Sequence, residues 1–293
     1  MIYKRIDYPG TNVTLKAYLY EQSNEFNEKW TKRPAVVVCP GGGYSFCSYR
    51  EADIVAMQFS AKGFNTFVFT YSLDADAVFP RPLVELSRAV KDIRENADEW
   101  GIDKEKIAVC GFSAGGHLAA SLGTLWNDEE VMKLSGCENG ENKPNAMVLC
   151  YPVISTSWMI LSGNLNRIIG ENDFDKTEKK LNMQNNVGKH TPPTFLAHTY
   201  NDGSVPVEDS LLFANELAKY DVPFDLHIFT NGCHGLSVAN DTVDCVEPGF
   251  AKWVDLSTDW LSRMLNVRSD LKQTDTFGGR VHYTPYSKDE LSN

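Results

Sequence analysis

The chain has 293 residues, 42% of them hydrophobic and 23% charged, so it can bury a large core as one big domain or two small ones. Its formal net charge of −11 at pH 7 weighs against nucleic acid and anionic membrane as partners, because both favour clustered Lys and Arg. The first residues lack the apolar region of a secretory signal, and no apolar run approaches the roughly 18 residues that span a bilayer. We therefore expect a cytoplasmic protein.

Residues 12–20 alternate apolar and polar side chains, which predicts a half-solvated strand in an antiparallel lead-in hairpin or meander. From residue 35 onward, short apolar runs alternate with amphipathic helical stretches. The predicted strands are 35–39, 66–71, 106–110, 146–151, 194–199 and 224–229, and the predicted helices lie near 51–62, 83–100, 114–126, 206–219 and 248–265. This alternation indicates an α/β fold with a mostly parallel sheet covered on both faces.

Two segments do not follow the alternation. Residues 152–193 are polar and rich in Asn, with one apolar patch, and we interpret them as a cap-like excursion inserted over the sheet. Residues 266–293 form a polar tail. Tails of this kind are disordered about as often as they take part in an interface. The predicted catalytic domain is therefore 1–265.

The cysteines are odd in number and show no C-x-x-C spacing; they are Cys39, Cys47, Cys110, Cys137, Cys150, Cys233 and Cys245. Three of them end apolar strand-like runs. We predict reduced thiols in or near the core, and neither a disulfide framework nor a zinc site.

The stretch from Gly111 to Gly115 has the pattern G-x-S-x-G, with an apolar strand before it and a helix-compatible segment after it. This is the context of a nucleophile elbow, in which a serine, here Ser113, sits on a strained turn between a strand and a helix. Glycine two residues to either side avoids side-chain clashes across that turn. A serine alone is a poor nucleophile, so the hypothesis requires a base, a carboxylate and oxyanion donors.

Oxyanion donors are expected from the backbone N–H of Ala114 and from the loop after the first core strand. That loop contains Gly41, Gly42 and Gly43, which can bring bare backbone close to a substrate carbonyl. A phosphate-binding loop is the alternative, but neither of the glycine patterns typical of such loops is present. We predict Gly42, Gly43 and Ala114 as donors and leave open which two of the three loop glycines take part.

His234 is the best candidate base, because it lies in a glycine-flanked loop directly after the last predicted strand. His117 follows Ser113 by about one helical turn and should point away from the attacking oxygen, so we assign it to packing or support. His227 and His198 lie inside predicted strands, although His198 could border the site.

The acid should lie between the serine and the histidine along the chain. Asp202, in the loop after the strand 194–199, has that position. It could also only shape the turn or cap the next helix, since aspartate favours both. Asp209 falls within that helix, so Asp202 is preferred.

The chain resembles α/β-hydrolases of the acetyl esterase and acetylxylan esterase type, a group related to hormone-sensitive-lipase-like and prolyl-oligopeptidase-like esterases. The segments that carry the resemblance are "RPAVVVCPGGGYSF", "KIAVCGFSAGGHLAASLGT" with the helix before it, "HTPPTFLAHTYNDGSVPVEDS" continuing to "FTNGCHGL", and the closing Trp-rich helix. They cover most of residues 30–265. The resemblance implies Ser113 as nucleophile, Asp202 as acid and His234 as base, with no metal or organic cofactor.

The chain departs from the family pattern at two positions. Pro40 precedes the three glycines where lipase-type relatives usually carry His, and Asn201 stands where many relatives place Asp. Neither change removes a member of the predicted triad. Arg50 and Glu51, just beyond the oxyanion loop, could bind sugar hydroxyls at the rim of the site or could simply begin a solvated helix.

The expected function is a serine esterase that removes short acyl groups, most simply acetyl, from a sugar or xylo-oligosaccharide ester. The prediction of a short acyl group rests on the resemblance to this family and not on the chemistry of a pocket. The alternatives are another hydrolase activity on the same scaffold, such as a prolyl-oligopeptidase-like peptidase or an arylformamidase, or a non-catalytic binding protein. A homo-oligomer is left open.

Overall fold

A computed structural model describes residues 1–23 and 31–267. Its strands form one sheet of eight: β1 Ile2–Asp7, β2 Thr14–Leu19, β3 Arg33–Cys39, β4 Asn65–Thr70, β5 Ile102–Phe112, β6 Ala146–Cys150, β7 Thr194–Thr199 and β8 Phe224–Phe229. The order across the sheet is β1-β2-β4-β3-β5-β6-β7-β8. β1 pairs antiparallel with β2, and β2 pairs antiparallel with β4, whereas all pairs from β4 to β8 are parallel. The predicted antiparallel lead-in and parallel sheet are confirmed.

The helices are α1 Asp53–Ala61, α2 Arg81–Glu95, α3 Ser113–Leu125, α4 Glu129–Ser135, α5 Thr156–Leu161, α6 Leu165–Ile169, α7 Phe174–Leu181, α8 Val207–Lys219, α9 Pro248–Ala251 and α10 Trp253–Met264. The predicted closing helix is interrupted at Lys252, which separates α9 from α10. α4 was not predicted. Asp128 begins it by accepting hydrogen bonds from two backbone N–H groups, and Gly136 ends it in a left-handed conformation with φ of 72°.

Apolar side chains pack in two layers, one on each face of the sheet. In β3, Val37 faces the layer that contains α2, α3 and α8, whereas Val36 and Val38 face the layer that contains α1 and α10. Both faces of the central strands are therefore buried, which explains why these strands read as continuous apolar runs. The α/β-hydrolase fold expected from the sequence is confirmed.

Segment 152–193 contains α5, α6 and α7. Asp209 of α8 holds its start, accepting hydrogen bonds from the backbone N–H groups of Ile154 and Ser155 at 2.7 and 3.2 Å. Further along, the carbonyl of Ile168 accepts a hydrogen bond from the N–H of Phe79. This segment is thus joined to α8 and to the loop between β4 and α2. We call it the cap.

Four cysteines are fully buried, as predicted: Cys39, Cys110, Cys137 and Cys150. Cys233 is exposed, and its Sγ lies 3.8 Å from the Sγ of the half-buried Cys245. The prediction of a core or near-core thiol is therefore wrong for Cys233, because the loop after β8 turns this side chain towards solvent.

Across the described ranges 1–23 and 31–267, no helix is long and apolar enough to cross a bilayer. The cytoplasmic location remains a prediction. All but the first two residues of the predicted tail 266–293 lie outside the described residues.

The turn from β5 into α3 depends on close contact between bare backbone segments. A Cβ on Gly115 would overlap the carbonyl oxygens of Cys39 and Pro40, and one on Gly111 would overlap the carbonyl of Gly115 itself. The two glycines therefore have the steric role expected from the sequence.

We expect Gly115→Ala to lower the free energy of unfolding by about 1–3 kcal/mol, because the backbone atoms it meets cannot move aside as a side chain could. Urea unfolding at neutral pH measures the change. Gly249→Ala is the matched control, since its Cβ would meet only the flexible carboxylate of Glu247, at 3.2 Å. Equal stability of the two variants would contradict the steric argument.

Candidate active site

Ser113 is the first residue of α3, directly after β5, and has φ of 52°, a left-handed conformation that is unusual for serine. Its side chain is held at the carboxyl end of β5, and only 5% of the residue is exposed. Strain of this kind at a strand-to-helix turn is typical of a nucleophile elbow. The predicted elbow geometry is present.

Three predicted residues meet in a hydrogen-bonded line. The Nε2 atom of His234 lies 2.8 Å from Oγ of Ser113, and its Nδ1 atom lies 2.7 Å from Oδ2 of Asp202. They come from loops after three different parallel strands, β5, β7 and β8, whose carboxyl ends share one edge of the sheet. The arrangement can move a proton from the serine hydroxyl to the imidazole while the carboxylate holds the ring.

The Asp202 carboxylate accepts hydrogen bonds both from its own turn and from His234. Its Oδ1 atom accepts hydrogen bonds from the N–H groups of Ser204 and Val205 at 2.8 and 3.0 Å, which leaves Oδ2 for His234. Burial by itself would raise the pKa of Asp202, but the nearby His198 imidazole and the hydrogen bonds from His234 and the Ser204 N–H outweigh it. The pKa is therefore held well below its usual range, and the carboxylate stays ionised.

Asn201 also has a defined role. Its Oδ1 atom accepts a hydrogen bond of 2.9 Å from the N–H of Gly232, two residues before His234. The Asn201 side chain thus connects the loop of Asp202 to the loop of His234. The chain has Asn here where many relatives have Asp, and the asparagine still joins the two loops.

The other histidines form different contacts. His117 is buried on α3 between the Tyr44 hydroxyl, 2.8 Å from Nδ1, and the Leu181 carbonyl, 3.0 Å from Nε2. His198 is fully buried behind Asp202, with Nε2 3.6 Å from Oδ2 of that carboxylate. His227 stacks on Phe195 within the sheet. The packing role expected for His117 agrees with these contacts.

The glycine loop after β3 lies beside the elbow. The N–H of Gly41 is already engaged, donating 2.9 Å to Oε2 of Glu51. Gly42 and Gly43 have φ of 132° and 64°, which glycine adopts without strain. Arg167 of the cap donates to the carbonyl of Gly43. Of the three loop glycines, Gly41 therefore has its N–H occupied, and the oxyanion role of Gly42 and Gly43, together with Ala114, stays a prediction.

Neither interpretation of Glu51 from the sequence is correct. The residue is 3% exposed and so neither lies at a solvated helix start nor faces a substrate at the rim. Its Oε1 atom accepts a 2.8 Å hydrogen bond from the hydroxyl of Tyr151. Arg50 is exposed, and its guanidinium lies near Gly235, beside His234.

Tyr151 was not singled out from the sequence. It directly follows β6, and its ring meets that of His234 edge-on with centroids 5.1 Å apart. The sequence feature that could have identified Tyr151 is its position at the carboxyl end of a central parallel strand, where the site residues of such folds lie.

The family model that matches this chain is BD-FAE, over residues 24–217, a stretch that contains Ser113 and Asp202. The chain belongs to the BD-FAE family. Two solved structures with 36% identity have the same fold: an α/β-hydrolase enzyme from a Medee basin deep-sea metagenome library and an acetyl ester-xyloside bifunctional hydrolase from Caldicellulosiruptor lactoaceticus. Their TM-scores are 0.74 and 0.72; the first match covers 91% of this chain and 98% of the other, and the second covers 88% and 90%.

This BD-FAE family chain is also 38% identical over 218 residues to endo-1,4-beta-xylanase B of Butyrivibrio fibrisolvens. The match covers 72% of this chain but only 33% of that protein, so the chain corresponds to one part of a longer relative. The family match and the two solved structures confirm the resemblance to α/β-hydrolases of the esterase type.

His117 makes the stability of the protein depend on pH. Burial lowers the pKa of His117 to about 4, from an unfolded value of about 6.5. Between these values the unfolded chain binds a proton that the folded protein does not, so stability falls as the pH drops through this window. Above pH 6.5 the contribution is fully present.

We expect the wild type to lose up to about 3 kcal/mol more than His117→Asn between pH 7 and pH 4. Urea unfolding of both proteins at pH 7, 5.5 and 4.5 checks this. A stability difference between them that does not change with pH would contradict it.

Proposed function

We propose that this chain is a serine esterase that removes short acyl groups, acetyl in the first place, from hydroxyls of sugars or xylo-oligosaccharides. The observation that carries the proposal is the hydrogen-bonded line from Ser113 through His234 to Asp202, set on a strained elbow beside a glycine loop. The names of the acetyl ester-xyloside hydrolase and the xylanase among the similar proteins support a sugar ester as substrate.

In the proposed reaction, His234 takes the proton of Ser113 as its oxygen attacks the ester carbonyl. The ionised Asp202 accepts from Nδ1–H, so that Nε2 is free to act as base. The N–H groups of Gly42, Gly43 and Ala114 bind the oxyanion. His234 then gives the proton to the sugar oxygen as its bond to the acyl carbon breaks, and the sugar leaves as an alcohol. Water, activated by the same histidine, cleaves the acyl-enzyme and releases the acid and free Ser113. Each step uses protein groups and water, so the proposal includes no metal or organic cofactor.

We expect Ser113→Ala to lower kcat for p-nitrophenyl acetate and for acetylated xylo-oligosaccharides by up to about 10⁶, because the nucleophile is lost. Ser121→Ala is the matched control: its hydroxyl lies two turns further along the same helix and bonds to the His117 carbonyl. Initial rates of both variants against the wild type are the measurement.

Two results would overturn the assignment. Ester turnover that survives Ser113→Ala would remove Ser113 as nucleophile. A wild type that cleaves a peptide anilide but not acetyl esters would favour the peptidase alternative.

The preference for a short acyl group has a structural argument of its own. Trp158 of α5 is half-buried, and a Cβ built on Gly43 would lie 3.4 Å from Cη2 of its indole ring. The ring therefore packs beside the proposed oxyanion loop. We propose that at this place it limits the space for carbons beyond an acetyl group.

We expect Trp158→Ala to raise the ratio of kcat/KM for p-nitrophenyl butanoate over acetate by about tenfold, since pocket contacts with one or two methylenes are worth about 1–3 kcal/mol. Leu161→Ala is the control, since this residue lies on the same helix but is 83% exposed. An unchanged ratio in Trp158→Ala would show that other residues set the acyl length.

Arg50 remains a proposed contact for sugar hydroxyls, as it is exposed near the His234 loop. The proposal includes neither nucleic acid nor membrane as a partner, and the cytoplasmic location and a homo-oligomer stay predictions.

A further inference from the structure

Glu51 is a buried carboxylate surrounded by three loops of the site. Its Oε2 atom accepts the Gly41 N–H of the glycine loop at 2.9 Å, and its Oε1 atom accepts the Tyr151 hydroxyl at 2.8 Å. A Cβ built on Gly41 would lie 2.7 Å from the carboxylate and 3.0 Å from Cβ of Ser113, so the loop, the carboxylate and the nucleophile are in close contact.

Tyr151 extends this connection to the histidine loop. Its hydroxyl accepts a 2.8 Å hydrogen bond from the N–H of Ser237, three residues after His234, while its ring packs edge-on against the imidazole. Ser237 is itself fixed, because its carbonyl accepts from the indole N–H of the buried Trp253 at 2.8 Å and its hydroxyl donates to the Arg50 carbonyl. One carboxylate thus connects the oxyanion side of the site with the base.

Stability alone does not explain a carboxylate at this place. Burial raises the pKa of Glu51, and the hydrogen bonds from Tyr151 and Gly41, with the nearby side chains of His234 and Arg50, offset only part of that rise. Buried charged groups are often less favourable than apolar residues of the same volume. A reason for this side chain is therefore best sought in the geometry that it imposes.

We propose that Glu51 is a positioning residue, which holds the glycine loop through Gly41 and the His234 loop through Tyr151 in the relative placement that ester cleavage needs. Because the Gly41 N–H donates its hydrogen bond to Glu51, the N–H groups of Gly42 and Gly43 are the ones that remain for the oxyanion. The inference rests on the proposed esterase function and adds to it the residue that aligns its two halves.

The first test is Glu51→Gln, which keeps the size of the side chain. Its amide has one acceptor oxygen and one donor group, so it can accept from Gly41 or from Tyr151 but not from both. Because misplacement by about 1 Å can cost about 10²-fold, we expect kcat for p-nitrophenyl acetate to fall by about 10–100-fold. KM should stay within about threefold, since ground-state binding is not the interaction removed.

A second readout is the inhibition constant of phenylboronic acid, which forms a tetrahedral adduct with a serine and therefore depends on the oxyanion donors. It should rise in Glu51→Gln in parallel with the fall in kcat/KM. A purely structural role would lower the melting temperature and leave these constants unchanged for the folded fraction. Matched controls are Asp92→Asn and Tyr8→Phe, which alter another carboxylate–tyrosine pair, also at 2.8 Å, outside the site.

If Glu51→Gln does not fold, Tyr151→Phe tests the proposal in its place. It removes only the hydroxyl between Glu51 and Ser237, and we expect kcat to fall at least fivefold at unchanged KM. A folded Glu51→Gln with kcat and boronate inhibition within twofold of the wild type would overturn the proposal. So would an unchanged Tyr151→Phe where Glu51→Gln does not fold.

Failure of the esterase proposal gives a different pattern. In that case the wild type does not cleave acetyl esters, or Ser113→Ala still does. If only the Glu51 inference is wrong, wild type and Ser113→Ala behave as proposed while Glu51→Gln resembles the wild type.

Discussion

The site depends first on the approach of bare backbone at the elbow. Ser113 can hold its left-handed conformation only because α3 begins directly against the end of β3, where Gly115 leaves no side chain between the helix and the carbonyls of Cys39 and Pro40. The same contact brings the glycine loop after β3 beside the serine. The proposed nucleophile and the proposed oxyanion donors are therefore placed by one packing constraint, and the energy of the strained turn is offset by the buried strands around it.

Around this elbow, buried carboxylates join loops that are distant in the sequence. Asp202 joins its own turn to His234, Asp209 joins α8 to the start of the cap, and Glu51 joins the glycine loop to Tyr151. The two oxygens of Asp202 and of Glu51 accept in different directions, so each of these side chains fixes two chain segments. Both oxygens of Asp209 accept from residues 154 and 155 and so fix that one segment to α8. The repeated use of this device at one edge of the sheet explains how loops without regular structure hold a defined site.

The cap has its own connection to the proposed chemistry. Arg167 donates to the carbonyls of Gly43, Tyr44 and Asp74, and Trp158 packs beside Gly43. The cap is therefore in contact with the loop proposed to bind the oxyanion. Residues of the cap can therefore differ around the site while Ser113, Asp202 and His234 keep their places, which is how one scaffold accommodates many functions.

The sequence by itself determined the α/β alternation, the elbow, and the place of Asp202 and His234 after parallel strands, because periodicity and strand-end position are local properties of a chain. Tertiary structure alone decided the role of Glu51, whose partner Tyr151 lies 100 residues further along, and the placement of His198 behind Asp202. It also decided that Cys233 faces solvent and that Gly41 is not a free donor. Burial and hydrogen-bond partners arise only when distant loops meet at one edge of the sheet, so no local pattern records them.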